Sequence, residues 1–245
     1  MLIAARRSGR PGLDLSSYRL DRASALHLQL AVLDRFLADG DTLAGWKVEF
    51  TAGAAKDRLG VGYRPFGYIL QSHVFEPGSH IRWGDVATGA TVRADAEVCL
   101  VLDKDVSGVI DRDRACKAVG EVVPALEITQ RRRAPDCDDA TVLADGCANW
   151  GIVAGTKGCA PSDGLGGIGV ELLHNGTVVN VRDAHHVMDD PFVSLAALSA
   201  SLASHGQLLR AGQRVITGAF VTTEVAPGTW QARFAGLGEV SVTFE

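Results

Sequence analysis

The chain has 245 residues, 47% of them hydrophobic and 22% charged, enough apolar material for one large domain with a sizeable core. A net charge of −5 offers no basic surface of the kind that binds nucleic acid. No apolar run approaches the roughly 18 residues of a membrane helix, and the start, Met1-Leu2-Ile3-Ala4-Ala5-Arg6-Arg7, puts charge after a short apolar run, the reverse of a signal peptide.

The segment up to Ser17 is polar, with Gly9, Pro11 and Gly12, and reads as a loop or arm. A helix follows: Asp21 caps it, Leu26, Leu30, Leu33 and Leu37 recur at helical spacing, and Gly40 closes it. His27 reads as a packing or surface residue of that helix. The arm and helix make a unit over 1–42, and the texture changes at 43. From there short apolar runs punctuated by Gly and Pro predict strands at 45–50, 67–70, 95–102, 122–128, 151–155, 167–173, 214–217 and 238–244. Helices are expected near 113–119 and over 191–205, the second capped by Asp190 with Pro191 in its first turn. Many strands, few helices and no βαβ rhythm predict a β-rich α+β roll over 43–245.

Within that roll, Lys47 lies in Gly45-Trp46-Lys47-Val48-Glu49-Phe50, where Lys47 and Glu49 share one strand face. A lysine among apolar neighbours tends to a lowered pKa and serves acid–base chemistry; the alternative is a surface Lys47–Glu49 pair. In Arg93-Ala94-Asp95-Ala96-Glu97-Val98-Cys99-Leu100-Val101, the residues Asp95, Glu97, Cys99 and Val101 face one way and Ala96, Val98 and Leu100 the other. Two carboxylates on one face of an apolar strand repel each other, so one takes up a proton unless a cation sits between them. Oxygen donors without His or Cys partners suit a hard divalent ion such as Mg²⁺. The alternative is a solvated strand end, or a bridge from Arg93 or Arg131. A third acid, Glu127, follows in Val122-Val123-Pro124-Ala125-Leu126-Glu127-Ile128, and Arg131-Arg132-Arg133 reads as a solvated strand end or a rim that binds carboxylates. The cysteines, at 99, 116, 137, 147 and 159, form an odd set without CxxC spacing, which predicts free thiols in a reducing, cytoplasmic compartment.

The ordered set Gly45-Trp46-Lys47-Val48, Leu59-Gly60-Val61, Phe66-Gly67, Asp95-Ala96-Glu97, Pro124-Ala125-Leu126-Glu127-Ile128, Ala144-Asp145 and Ile216-Thr217-Gly218-Ala219 resembles the 2-keto-4-pentenoate hydratase and 4-oxalocrotonate decarboxylase family, a branch of the fumarylacetoacetate hydrolase superfamily. Arg6-Arg7-Ser8-Gly9-Arg10-Pro11 and the first helix fit as well, so the resemblance spans nearly the whole chain. It implies a fumarylacetoacetate hydrolase-type mixed β-roll with a small helical N-terminal segment. It also implies Mg²⁺ or Mn²⁺ on Asp95, Glu97 and Glu127, with Lys47 as the active-site lysine. Asp95 stands where the family has Glu. Pro65 replaces the acid that its hydratases carry before the aromatic-Gly pair, and Glu49 replaces a small residue. Glu49 can substitute for the missing acid or simply pair with Lys47. His73 and Glu76 can form a lid dyad like that of C–C hydrolases. The implied activity is that of a metal-dependent lyase of 2-oxo or 2-hydroxy-dienoic acids: a hydratase first, a 4-oxalocrotonate-type decarboxylase second. A non-catalytic partner subunit, or a biosynthetic enzyme with divergent chemistry, is a third reading. A homo-oligomer, in some cases complexed with a related lyase, is implied with it, along with a small-molecule 2-oxo acid and neither nucleic acid nor membrane as partners.

Overall fold

β-branched and aliphatic runs dominate from residue 43 onward, and they pair into two sheets. The computed structural model describes residues 1–182 and 188–245. In chain order the elements are α1 (Leu2–Ser8), α2 (Arg22–Ala38), β1 (Leu43–Val48), β2 (Phe66–Leu70), β3 (Val74–Phe75), β4 (Ser79–Ile81), α3 (Trp83–Val86), β5 (Thr91–Leu102), α4 (Arg112–Cys116), β6 (Val119–Arg131), α5 (Asp139–Ala144), β7 (Asn149–Ala154), β8 (Val170–His174), β9 (Thr177–Val181), α6 (Pro191–Ser204), β10 (Arg214–Ile216), β11 (Val221–Glu224), β12 (Gly228–Phe234) and β13 (Gly238–Phe244). This is the mixed, strand-dominated α+β architecture expected from the sequence.

The larger sheet has eight strands in the order β2-β1-β10-β5-β6-β7-β3, with β11 added to β5; the smaller has five, in the order β4-β13-β12-β8-β9. The first rolls up far enough for the inner face of β1 to meet that of β6. Its outer face shares a continuous core with the second sheet and the helices, including Trp46, Val98, Leu100, Phe192, Leu195 and Val242. The inner face is plugged at one end by a small cluster that includes Ile69, Cys99, Val123, Ala125, Ile152 and Ile216. Asp95 and Glu97 continue that inner face beyond the plug, as the period of two requires. The apolar plug at one end leaves the polar side chains grouped at the other.

The structure departs from the expected elements in places with physical causes. The supposed N-terminal arm contains α1, which packs because Arg6 lies over the Tyr68 ring at 4.5 Å and donates to the Asp145 carbonyl at 2.9 Å. α2 docks through Gln29, whose amide donates to the Phe66 and Leu143 carbonyls at 2.9 and 2.6 Å. The helix expected near 113–119 stops at Cys116, because Val119 already pairs with Leu102 in the β5–β6 ladder. Arg132 is no solvated strand end: it is 1% exposed and paired with the fully buried Asp145 at 2.9 Å. It also donates to the Asn149 carbonyl at 3.1 Å, so one guanidinium ties β6 to the turn before β7. Arg132→Met should therefore lower stability by about 3–5 kcal/mol, since it strands the Asp145 carboxylate without its cation. Thermal unfolding measures this, and a melting temperature within a degree of wild type would contradict it.

Candidate active site

β1 delivers Lys47 to the inside of the roll, where its side chain is 2% exposed. Its Nζ stands 2.7 Å from Glu127 Oε1 and 2.9 Å from Oε2, and 2.7 Å from Glu49 Oε2. A further bond runs from Nζ to the Cys147 carbonyl at 3.3 Å. That carbonyl is aimed by an unusual turn after α5, in which Gly146, Cys147 and Ala148 all adopt left-handed φ values of 64°, 55° and 64°. Burial by itself would lower the lysine pKa. Glu127 and Glu49 outweigh it and hold Lys47 well above its ordinary value. The lowered pKa expected from apolar neighbours is thus reversed, because the apolar strand carries two acids to the same amine.

The three metal-candidate acids come from adjacent strands. Asp95 on β5 is directly opposite Glu127 on β6, and Glu97 is two residues further along the same face. Asp95 accepts from the Thr222 hydroxyl of β11, its partner in register. Glu97 accepts from the Gly218 N–H at 2.7 Å; a Cβ at Gly218 would fall 1.8 Å from Thr51 Oγ1, so only glycine lets this backbone approach. Glu127 accepts from the Asn149 amide at 2.8 Å. Burial and the Glu127 charge push Asp95 up to about 7, and the same causes push Glu97 well above the usual carboxylate range.

Asp95, Glu97, Glu127 and Glu49 line one cavity of about 190 Å³, closed by Gly218 and Thr222. Among the described residues no three acids, His or Cys are drawn together tightly enough to grip an ion as they stand. The reason is visible at Glu127, whose oxygens are turned to Lys47 and Asn149. The donor chemistry nonetheless fits a hard divalent cation: carboxylates only, crowded on one face, two of them pushed toward protonation by burial and mutual repulsion. Such an ion would draw on Glu127 oxygens now shared with Lys47.

Glu49 sits at the end of β1, where Phe50 turns the chain with φ of 58°. Its N–H donates to the Pro65 carbonyl at 2.9 Å, so residues 49 and 65 are cross-strand neighbours. His73 is not brought here. It precedes β3, at the opposite edge of the sheet, and lines a separate cavity with Arg6, Arg132 and Trp150. There it packs edge-on against Trp150 at 4.8 Å, and Ser72 Oγ lies 2.9 Å from its Nδ1. Burial lowers its pKa. Neither His73 nor Glu76 lines the carboxylate cavity. Asn149 and Thr222 are partners that sequence reasoning missed, and Gly218 entered it as part of the Ile216-Thr217-Gly218-Ala219 motif without a role.

The buried lysine facing acids lies inside a fold of the fumarylacetoacetate hydrolase type, as solved structures of similar fold show. A 4-oxalocrotonate decarboxylase from Pseudomonas putida G7, solved with magnesium and adipate, superposes with a TM-score of 0.89 at 24% identity, covering 100% of this chain and 94% of that one. A fumarylacetoacetate hydrolase from Exiguobacterium antarcticum shares the fold at TM-score 0.62 and 15% identity, over 84% of this chain and 76% of its own. No family model matches the sequence. Individual relatives do: a 2-keto-4-pentenoate hydratase of Paraburkholderia phymatum is 26% identical over 231 residues, 91% of this chain and 86% of that protein. A 4-oxalocrotonate decarboxylase of a Pseudomonas species is 27% identical over 226 residues, 89% of this chain and 84% of its own. In sequence the chain is thus similar to 2-keto-4-pentenoate hydratases and 4-oxalocrotonate decarboxylases over about nine-tenths of its length. Among the described residues, no helix is long and apolar enough to cross a membrane.

Proposed function

We propose that the chain is a divalent-metal-dependent lyase of 2-oxo-enoic acids and their 2-hydroxydienoic tautomers, acting as a hydratase. The observation that carries hydration is Glu49. The family's acid is lost at Pro65, and an acid appears at the residue whose N–H bonds the Pro65 carbonyl, facing the same cavity as Asp95, Glu97 and Glu127. Glu49 is about a third exposed, so water can reach it.

Asp95, Glu97 and Glu127 are the residues that would hold Mg²⁺ or Mn²⁺, which would supply a Lewis acid at the 2-oxo acid end of the substrate. Glu49 takes a proton from water as the water oxygen bonds to C4 of the conjugated acid. The C3–C4 electron pair moves toward the 2-oxo oxygen, and a proton returned to C3 completes the 4-hydroxy-2-oxo acid. Lys47, an ammonium paired with Glu49 at 2.7 Å, stabilises the enolate that forms and supplies that proton.

Ultraviolet assays of a 2-hydroxydienoate and of 4-oxalocrotonate with Mg²⁺, with product identification, test the reaction. Glu49→Gln should lower hydration by about 10²-fold or more while substrate-analogue affinity changes little. Undiminished hydration by this variant would remove Glu49 from the chemistry. Pro65 supports decarboxylation as the second reading, since loss of CO₂ needs the electron sink and no activated water; release of CO₂ without a hydrated product would establish it.

A further inference from the structure

Beyond the carboxylates, the same inner face carries arginines without partners. The β5–β6 ladder sets Asp95 opposite Glu127, then Arg93 opposite Thr129, then Thr91 opposite Arg131. Each of these two-residue steps advances about 7 Å. Arg93, Arg131 and Arg133 line a cavity of about 140 Å³ that also holds Lys47, Glu49 and Asp95. Among the described residues, the side chains of these three arginines make no hydrogen bond and no ion pair.

The charges on this wall do not cancel. Lys47 and Glu49 neutralise each other at 2.7 Å, and Asp95 belongs with the acid cluster. That leaves three guanidinium groups facing one further acid, Glu224, which lies opposite Arg93 on β11. The larger cavity around His73 is different. There Arg7 pairs with Asp39, Arg82 with Asp85 and Arg132 with Asp145, while Arg6 is held by the Asp145 carbonyl and the Tyr68 ring, so each of these guanidinium groups already has a partner.

We propose that the wall of Arg93, Arg131 and Arg133 binds a second carboxylate, at the far end of the substrate, so that the preferred substrate is a dicarboxylic 2-oxo-enoate. The inference rests on the functional reading above, in which the 2-oxo acid end lies at Asp95, Glu97 and Glu127. A guanidinium meets a carboxylate through two parallel N–H donors, so it recognises that group in a way a neutral tail cannot match. Arg93 and Arg131 stand one and two ladder steps from the acid cluster, with Arg133 just past the end of β6 on the same cavity wall, along the face on which a short extended diacid would lie. Arg93 and Arg131 are exposed, so their replacement leaves the core untouched.

Calorimetric titration of the Mg²⁺-saturated protein with adipate and with hexanoate isolates the second carboxylate, because the two acids have the same carbon chain. Adipate should bind at least tenfold more tightly. The double variant Arg93→Gln/Arg131→Gln should erase that difference, leave hexanoate affinity unchanged, and unfold within a few degrees of wild type. Equal affinities in the wild type, no adipate binding, or a difference that survives the double variant each overturn the proposal. The same variant should raise KM for a dicarboxylic 2-oxo-enoate at least tenfold with kcat retained, and leave a monocarboxylic one unaffected. Failure of the wild-type protein to convert either 2-oxo-enoate would overturn the functional reading instead, and the adipate-to-hexanoate ratio separates the two failures.

Discussion

Lys47→Met should reduce turnover by about 10²-fold or more, the scale expected when a positioned proton donor and charge stabiliser is removed. The geometry predicts an effect mainly on kcat. Lys47 touches Glu127, Glu49 and the Cys147 carbonyl, and none of the three arginines on the outer wall. A mutation that removed only a structural ion pair would act differently. It would leave Glu127, 1% exposed, without its cation, and lower melting temperature while sparing the kinetics of the folded fraction. Steady-state kinetics on protein shown to be folded by circular dichroism distinguish the two, and wild-type kcat in the variant would reduce Lys47 to a structural partner.

The site was readable in the sequence to the extent that it depends on strand periodicity. The spacing of Asp95, Glu97 and Cys99 put them on one face, and the ladder adds what spacing cannot: Glu127 is the residue directly opposite Asp95. Register across strands is set by the whole sheet, so Asn149 and Thr222, which orient Glu127 and Asp95, could not be assigned from local pattern. β11 and β12 were missed for a related reason. Val221–Glu224 is too short to show alternation, while Trp230, Ala232 and Phe234 do alternate inward but follow a Pro-Gly break that reads as loop. His73 fails in the opposite direction. Its residue type suits acid–base chemistry, yet the strand it precedes joins the far edge of the sheet, a placement only the topology determines. Arg132 shows that a run of like charges can be split by the pleat, with the middle residue buried on Asp145 and its neighbours on the cavity wall.

Glu97→Gln should separate metal binding from folding. Glu97 is 2% exposed, and its one hydrogen bond, from the Gly218 N–H at 2.7 Å, can be accepted equally by a glutamine carbonyl. In the metal-free protein, burial and the nearby Glu127 hold Glu97 well above the ordinary carboxylate pKa. A folded-state pKa raised in this way means that the native state binds the proton more tightly than the unfolded chain does. Stability is then fullest below the unfolded value and is lost as pH rises through the folded one. The neutral amide carries no such penalty, so the metal-free variant should be at least as stable as wild type at neutral pH. Divalent ion should reverse the order. At a concentration a hundredfold above Kd a bound ion adds about 2.7 kcal/mol to the native state, roughly 5–10 °C in melting temperature for a chain of this size. Wild type should gain that shift with Mg²⁺ or Mn²⁺, whereas the variant should gain little and lose metal-dependent turnover by about 10²-fold or more. Thermal unfolding with and without the ion, at one pH, reads both halves of the expectation. A full metal-induced shift in the variant would remove Glu97 from the ligand set. A metal-free variant much less stable than wild type would show that its carboxylate serves the fold.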